Sequence, residues 1–287
     1  MLQKSTQTRR VPSPTRSFTL WWGLLGLACL IVIWQLLSII LGVSQAGVKR
    51  VPGLQDIIGA MIQFSGYWPG GLGAGDVTRG AERTIWGAVL GAAYNSWFTL
   101  VRVLVGFAFG VIAGVGLGLL VSWSQAARRL FGASAHFLRM MPLLAMMPLF
   151  GLWFARSETG TYVFVAFAVA VLLFVITLSA VDGVPEYYVN YAMSLGASKL
   201  SVYRSVIIPA ALPEIRNGLL LAVPFAWSAV LAAEFIGKQY GLGRILNYAQ
   251  LYAETDVIAA TGLVVVLLAA ISFFLVRRYL NYLTRWV

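Results

Sequence analysis

The sequence predicts an all-α integral membrane protein with six transmembrane helices. Three observations lead there. Of the 287 residues, 60% are hydrophobic and 11% charged, against about 45–50% apolar and about 25% charged in typical soluble domains. The mean hydropathy of +0.82 means more apolar side chain than a soluble enzyme of this length could cover with its own surface. The apolar residues also fall in runs of about 20, the length that carries a helix across a bilayer. Disorder is excluded, because it requires low hydrophobicity.

The first run, 20–41, opens on Trp21-Trp22, which suit the headgroup interface. It is too long for a signal-peptide core, and no small-residue cleavage pattern follows it. The second run is 97–121. The third, 131–154, is broken by Pro142 and Pro148. The fourth is 161–181, the fifth 218–236 with Pro224 inside, and the sixth 257–276.

Lys and Arg in the short loops set the orientation. Lys4, Arg9, Arg10 and Arg16 precede the first run. Arg128 and Arg129 follow the second, Lys199, Arg204 and Arg216 lie between the fourth and fifth, and Arg277, Arg278 and Arg285 follow the sixth. The opposite short loops hold only Arg156, Lys238 and Arg244. Both termini are therefore expected in the cytoplasm. Residues 1–19 form a tail, and residues 20–287 form one membrane domain. That domain carries an external insertion at about 42–96 and a cytoplasmic loop at about 182–217. In the insertion, 51–64 reads as a short amphipathic helix lying on the membrane. A Gly-rich stretch, Gly70 to Gly75, follows, then a second short helix around 81–92. Two readings stay open for it, a surface for an external partner and a flexible insertion.

One cysteine, Cys29, and one histidine, His136, leave no disulfide and no Cys/His zinc set, so no metal is expected. The net charge of +11 fits attraction to anionic lipid rather than to nucleic acid. No phosphate-cradling loop is present: Gly237-Lys238 is followed by Gln239 and lacks the upstream glycine.

In the second run Gly106, Gly110, Gly114 and Gly118 recur every four residues. They share one helix face, where another backbone can approach closely. The expected neighbour is in the same chain rather than in a second copy, and Gly116 is expected to add to the face.

The cytoplasmic loop is the most informative segment. Pro185 suits a first helical position, Gly196 a helix end and Ser198 the cap of a following helix. Pro209 and Pro213 then restrict entry into the fifth span. A short helix, a sharp turn and a second helix result. Their surface of Tyr187, Tyr188, Tyr191 and Met193 carries few charges, as a docking surface for a soluble subunit would.

Here the chain resembles the inner-membrane permease subunits of binding-protein-dependent ABC importers. Their loop motif is Glu-Ala-Ala, three residues, Gly, nine residues, Ile, any residue, Leu-Pro. Its Gly falls on Gly196, its Ile on Val206 and its Leu-Pro on Ile208-Pro209, while the acid falls on Asn190 and the alanines on Tyr191 and Ala192. The acid is therefore missing. The resemblance narrows to the taurine, sulfonate, nitrate and bicarbonate branch through Arg139, Pro142, Ala145, Pro148, Leu149, Trp153 and Phe154, with Ala155 where glycine is usual. The run 102–107, Trp227, Ala233-Glu234, Gly241-Leu242-Gly243 and Thr255-Asp256-Val257 add to it.

The resemblance implies a type I importer permease that is itself no enzyme and holds no cofactor. It implies a homodimer in a prokaryotic inner membrane, two cytoplasmic ATPases binding ATP and Mg, and an external solute-binding protein. The coupling contact would fall on Asn190, Tyr191, Ala192, Met193, Gly196, Ala197, Ser198, Val206, Pro209 and Pro213. The implied solute is a small anion, first an organic sulfonate such as taurine, with nitrate, bicarbonate or a vitamin precursor as alternatives. Arg139, Pro142, Trp227 and Glu234 are the candidates for the pathway.

An unpaired charge in mid-bilayer costs about 2.5–3.5 kcal/mol on the permissive scale. Arg139 and Glu234 should therefore either line a pathway or pair with each other, and His136 reads as a structural residue. An ion-driven secondary transporter would show similar halves, and these halves do not look alike. A membrane-embedded enzyme would need paired acids or histidines in facing spans, and only Glu234 is available.

Overall fold

The computed structural model describes residues 16–44, 47–69, 84–154, 157–235 and 237–284. The expectations for Lys4, Arg9, Arg10, Gly70 to Gly75, Ala155, Arg156 and Arg285 lie outside them. The described residues form an α-helical bundle. Five helices are long and apolar enough to cross a membrane, and a sixth span results if one bent pair counts as broken.

Helix α1, Arg16–Leu41, buries none of the side chains described for it. It is fastened near its end, where Trp34 Nε1 donates to the Pro52 carbonyl (2.9 Å) and Ser38 Oγ to that of Val51 (3.0 Å). Helix α2, Leu54–Ala60, runs into a 3₁₀ segment, Met61–Tyr67. This is the amphipathic stretch expected on the membrane. Its apolar face instead covers the chain itself, burying Ile57, Ala60, Phe64 and Tyr67 in the main core.

Helix α3, Ile85–Ser122, is capped by Thr84, whose Oγ1 accepts from Gly87 N (3.0 Å). The separate helix expected around 81–92 does not exist. From Ile85 onward those residues are the first turns of α3, so the insertion is shorter than 42–96. The 38 residues of α3 extend about 57 Å at 1.5 Å per residue.

Its glycine face meets helix α6, Glu158–Asp182. A Cβ at Gly106, Gly110 or Gly118 would stand 2.6 Å from Cβ of Val165, Val169 or Thr177, and one at Gly114 would stand 2.6 Å from the Ala170 carbonyl. The close neighbour is thus intrachain. Gly116 does not belong to this face, since nothing lies within 4 Å of a Cβ there. Overpacking a tight core costs about 1–3 kcal/mol, sometimes more. Gly110→Leu is therefore expected to reduce the yield of monodisperse protein in detergent sharply, while Gly116→Leu keeps it. Equal size-exclusion profiles for the two variants would refute the assignment.

The expected third span is not one helix. Helix α4, Gln125–Met140, and helix α5, Leu143–Phe154, meet at 97°. The break sits at Pro142. The residue before a proline is pushed out of the helical region, and Met141 has ψ of 126°. Pro148 stays inside α5. At 12 residues, about 18 Å, α5 is too short to cross a bilayer.

Helices α7, Glu186–Ser194, and α8, Lys199–Val202, follow α6. A π turn, Tyr203–Ile207, leads into α9, Ile208–Phe235. Pro185 is the residue before α7 rather than its first. Pro209 is the second residue of α9, at its entry as expected, whereas Pro213 lies inside the helix, as Pro224 does. Helices α10, Leu242–Leu251, and α11, Thr255–Leu283, complete the chain. The core runs through α3, α6 and α9, with Val165, Val169, Leu173, Ala222, Ala226 and Val230 fully enclosed.

Candidate functional site

At the end of the bundle that carries Asp182, α7 and α8 project as a knob. Helix α7 ends in a Schellman motif. Ala197 N donates to the Ala192 carbonyl (3.2 Å) and Gly196 N to that of Met193 (3.0 Å), satisfying carbonyls the helix end would leave unpaired. Gly196 has φ of +84°, a conformation glycine reaches without a steric penalty. Ser198 Oγ then caps α8 by accepting from Ser201 N (3.3 Å). The helix, turn and helix read from the sequence are all present.

Tyr187, Tyr188, Tyr191, Met193, Leu195 and Leu200 are exposed on the knob. Asn190 is exposed, and Ala192, Ala197, Val206, Pro209 and Pro213 are half-buried. The knob is fastened to α3 through buried Tyr203. Its hydroxyl donates to the Leu119 carbonyl (2.6 Å) and lies 2.6 Å from Ser122 Oγ.

The opposite end carries an ionic clasp. Glu234, near the end of α9, is 0% exposed and Arg102 of α3 is 2% exposed. Arg102 Nη1 donates to Glu234 Oε1 (2.7 Å) and to the Tyr240 carbonyl (2.6 Å). Its Nε and Nη2 grip both oxygens of Glu158, each at 2.7 Å. Glu234 Oε2 also accepts from Thr99 Oγ1 (2.9 Å) and Gly243 N (2.8 Å). Gly241 N donates to Asn95 Oδ1 (2.9 Å) and Leu242 N to Thr99 Oγ1 (2.9 Å). Lys238 Nζ donates to the Ser157 carbonyl (2.5 Å) and stands 3.5 Å from Glu158. Burial pulls Lys238 below the usual lysine range, against the opposing pull of Glu158.

Two positive and two negative groups thus close on one another and tie α3, α6, α9 and the start of α10 together. The Gly-Leu-Gly run is part of the fit. A Cβ on Gly241, at φ of +124°, would collide with the Glu234 carboxylate, and one on Gly243 would stand 2.5 Å from Glu234 Cβ.

The Arg139–Glu234 pairing weighed from the sequence is therefore wrong, because the partner of Glu234 is Arg102. Glu234 and Trp227 are enclosed by the chain's own side chains. Arg139 is exposed, beside Phe167, Leu172 and Phe225, and Pro142 lies next to it at the break. Arg102, Glu158 and Lys238 escaped the reading as charges with a role. One signal was present: Arg102, Thr99 and Asn95 carry the glycine face backward along α3 from Gly106, in steps of four, three and four residues.

Thr255 and Asp256 also hold structure. Thr255 Oγ1 donates to the Lys49 carbonyl (2.8 Å), and Asp256 Oδ2 accepts from Gln63 (3.4 Å).

Residues 106–287 match the family described as binding-protein-dependent transport system inner membrane component. The chain belongs to this family. The permease is 31% identical over 188 residues to the taurine transport system permease protein TauC of Escherichia coli K12, covering 66% of this chain and 68% of TauC. It is 27% identical to the putative aliphatic sulfonates transport permease protein SsuC of the same organism, over 85% of this chain and 84% of SsuC. The bicarbonate transport system permease protein CmpB of Synechococcus elongatus is 29% identical, over 92% of this chain and 88% of CmpB. An inward-facing structure of the MetNI methionine ABC transporter superposes with a TM-score of 0.57 at 19% identity, covering 66% of this chain and 94% of that one. That likeness shows a shared fold. The permease is a transport subunit of an ABC importer and not an enzyme. The ATP and Mg of such an importer are bound by a separate ATPase.

Proposed function

We propose that this permease moves a small organic sulfonate, taurine first, into the cytoplasm as one of two identical copies in a prokaryotic inner membrane. The bent pair α4–α5 counts as one span, which makes six. The tail 1–19 and the C-terminus are cytoplasmic, and so is the Asp182 end of the bundle. An external solute-binding protein meets the Glu158 end.

The observation that carries this reading is the knob, an exposed aromatic surface aimed by a left-handed glycine. On it Asn190, Tyr191, Ala192, Met193, Gly196, Ala197 and Ser198 face the ATPase. Val206, Pro209 and Pro213 brace the knob against the bundle. With Asn190 in place of an acid, the contact is aromatic and apolar rather than an ion pair. The named relatives support a small anion. Bicarbonate is the second reading, because CmpB matches over 92% of the chain.

Two measurements test the proposal. Single cysteines near Arg16, Lys199 and Arg285 should label from the cytoplasm and one near Gly73 from outside. A Gly73 position that labels from the cytoplasm overturns the topology. Proteoliposomes holding the whole importer should take up taurine in an ATP-dependent way, in preference to bicarbonate and nitrate. Uptake that persists without the ATPase would refute the importer reading.

A further inference from the structure

Helix α4 starts beside Asp182 and climbs away from it. Arg128 pairs with Asp182 and donates from Nε to the Ser122 carbonyl (2.9 Å). Farther along, Arg139 lines a cavity together with Phe167, Ala168, Val171 and Leu172 of α6 and Phe225 of α9. Those α6 positions lie about 15–22 Å from Asp182 along the helix, and Phe225 lies about 14 Å short of Glu234. Arg139 is therefore near the middle of the bundle's depth.

At about 100° per residue, Gln125, Arg128, Arg129, Gly132, His136 and Arg139 fall within one arc of about 100°. Leu130, Phe131, Phe137 and Leu138 occupy the opposite side. The apolar face suits lipid. The polar face needs something else, because a guanidinium at that depth must meet a partner, a cavity or water. Arg139 has no acidic partner among the described residues: Glu158 and Glu234 are held by Arg102, and Asp182 by Arg128. A helix lying on anionic headgroups would keep both its ends at one level, and α4 does not.

We infer that Arg129 and Arg139, with Gly132 and His136 on the same face between them, form a positively charged wall along the cytoplasmic half of the pathway, past which a small anion leaves the permease. A field of one sign in a low-dielectric cleft concentrates counter-ions, so this wall selects by charge and leaves finer choice to other contacts. It rests on the reading that the solute is a small anion. Glu234 and Trp227, enclosed within the chain, are not part of it.

The test uses the whole importer in inside-out vesicles, with Cys29→Ser and Gly132→Cys. A Cβ at Gly132 meets nothing within 4 Å, so the thiol fits, and His136→Cys is a second reporter should the first misfold. Reaction with negatively charged sulfonatoethyl methanethiosulfonate is compared with that of the positively charged trimethylammonium-ethyl reagent, each normalised to a free thiol. The negative reagent should be favoured by about tenfold. Arg139→Gln should abolish that preference, and Leu130→Cys on the opposite face should react with neither reagent. Equal rates at position 132, or a thiol there silent to both because lipid or a second copy covers it, would overturn the wall. Uptake separates this from the substrate reading. A charge preference without taurine transport keeps the wall and removes the sulfonate. Taurine transport without a charge preference does the reverse.

Discussion

Arg102→Met is expected to lower the thermal midpoint of the detergent-solubilised permease more than any other single change in the clasp. It leaves the wholly buried Glu234 carboxylate with only Thr99 and the Gly243 amide. Breaking a buried pair by removing one partner costs about 3–5 kcal/mol, because the remaining charge is uncompensated. Glu158 suffers less, being half exposed and within reach of Lys238. The double variant Arg102→Met with Glu234→Gln should recover most of the loss, since replacing both members of a buried pair is often close to neutral. Tryptophan fluorescence during heating, with size exclusion as a check on folding, reads both variants. A midpoint unchanged in Arg102→Met would show that the clasp does not hold the helices together.

Gly196→Val should leave the permease in the membrane and abolish its association with the ATPase. A β-branched residue at φ of +84° is a steric outlier, so the Schellman turn must open or re-form elsewhere. Tyr191 and Met193 would then point away from their partner. The long helices lie outside this turn, so insertion is preserved. Co-purification of a tagged ATPase with parent and variant, followed by uptake, measures the effect. Retained co-purification together with normal uptake would sink the docking assignment, whereas Gly196→Asn should be milder because asparagine tolerates the left-handed region better.

Legibility in the sequence followed how local the cause was. Helices α6 and α11 are continuous apolar runs, and hydropathy finds them. The seam of Gly106, Gly110, Gly114 and Gly118 is legible because four-residue spacing is a property of one helix. The turn at Gly196 is legible because a left-handed glycine and a capping serine act within a few residues.

The break at Pro142 is legible in the sequence, but the size of the bend and the start of α4 are not. Apolar 143–154 dominates the window, while the polar stripe of α4 begins at Gln125, in what reads as a loop. Arg102 was hidden because its partner lies 132 residues away, and no local pattern announces such a pairing. The outer turns of α3 read as part of an insertion because the neighbouring stretch is Gly-rich and weakly apolar.

The length of α3 has a mechanical consequence. It is one unbroken rod of about 57 Å, nearly twice the thickness of a hydrocarbon core at about 30 Å. At one tip it bonds Tyr203 beneath the knob. Near the other it packs against Phe64 so closely that a Cβ on Gly91 would collide with the Phe64 carbonyl oxygen. A tilt of about 5° about the Tyr203 tip would sweep the far tip through about 5 Å, by the rise per residue alone. A rocking motion at the knob end would thereby reach the far tip as a lever stroke, with no break in the helix between to absorb it.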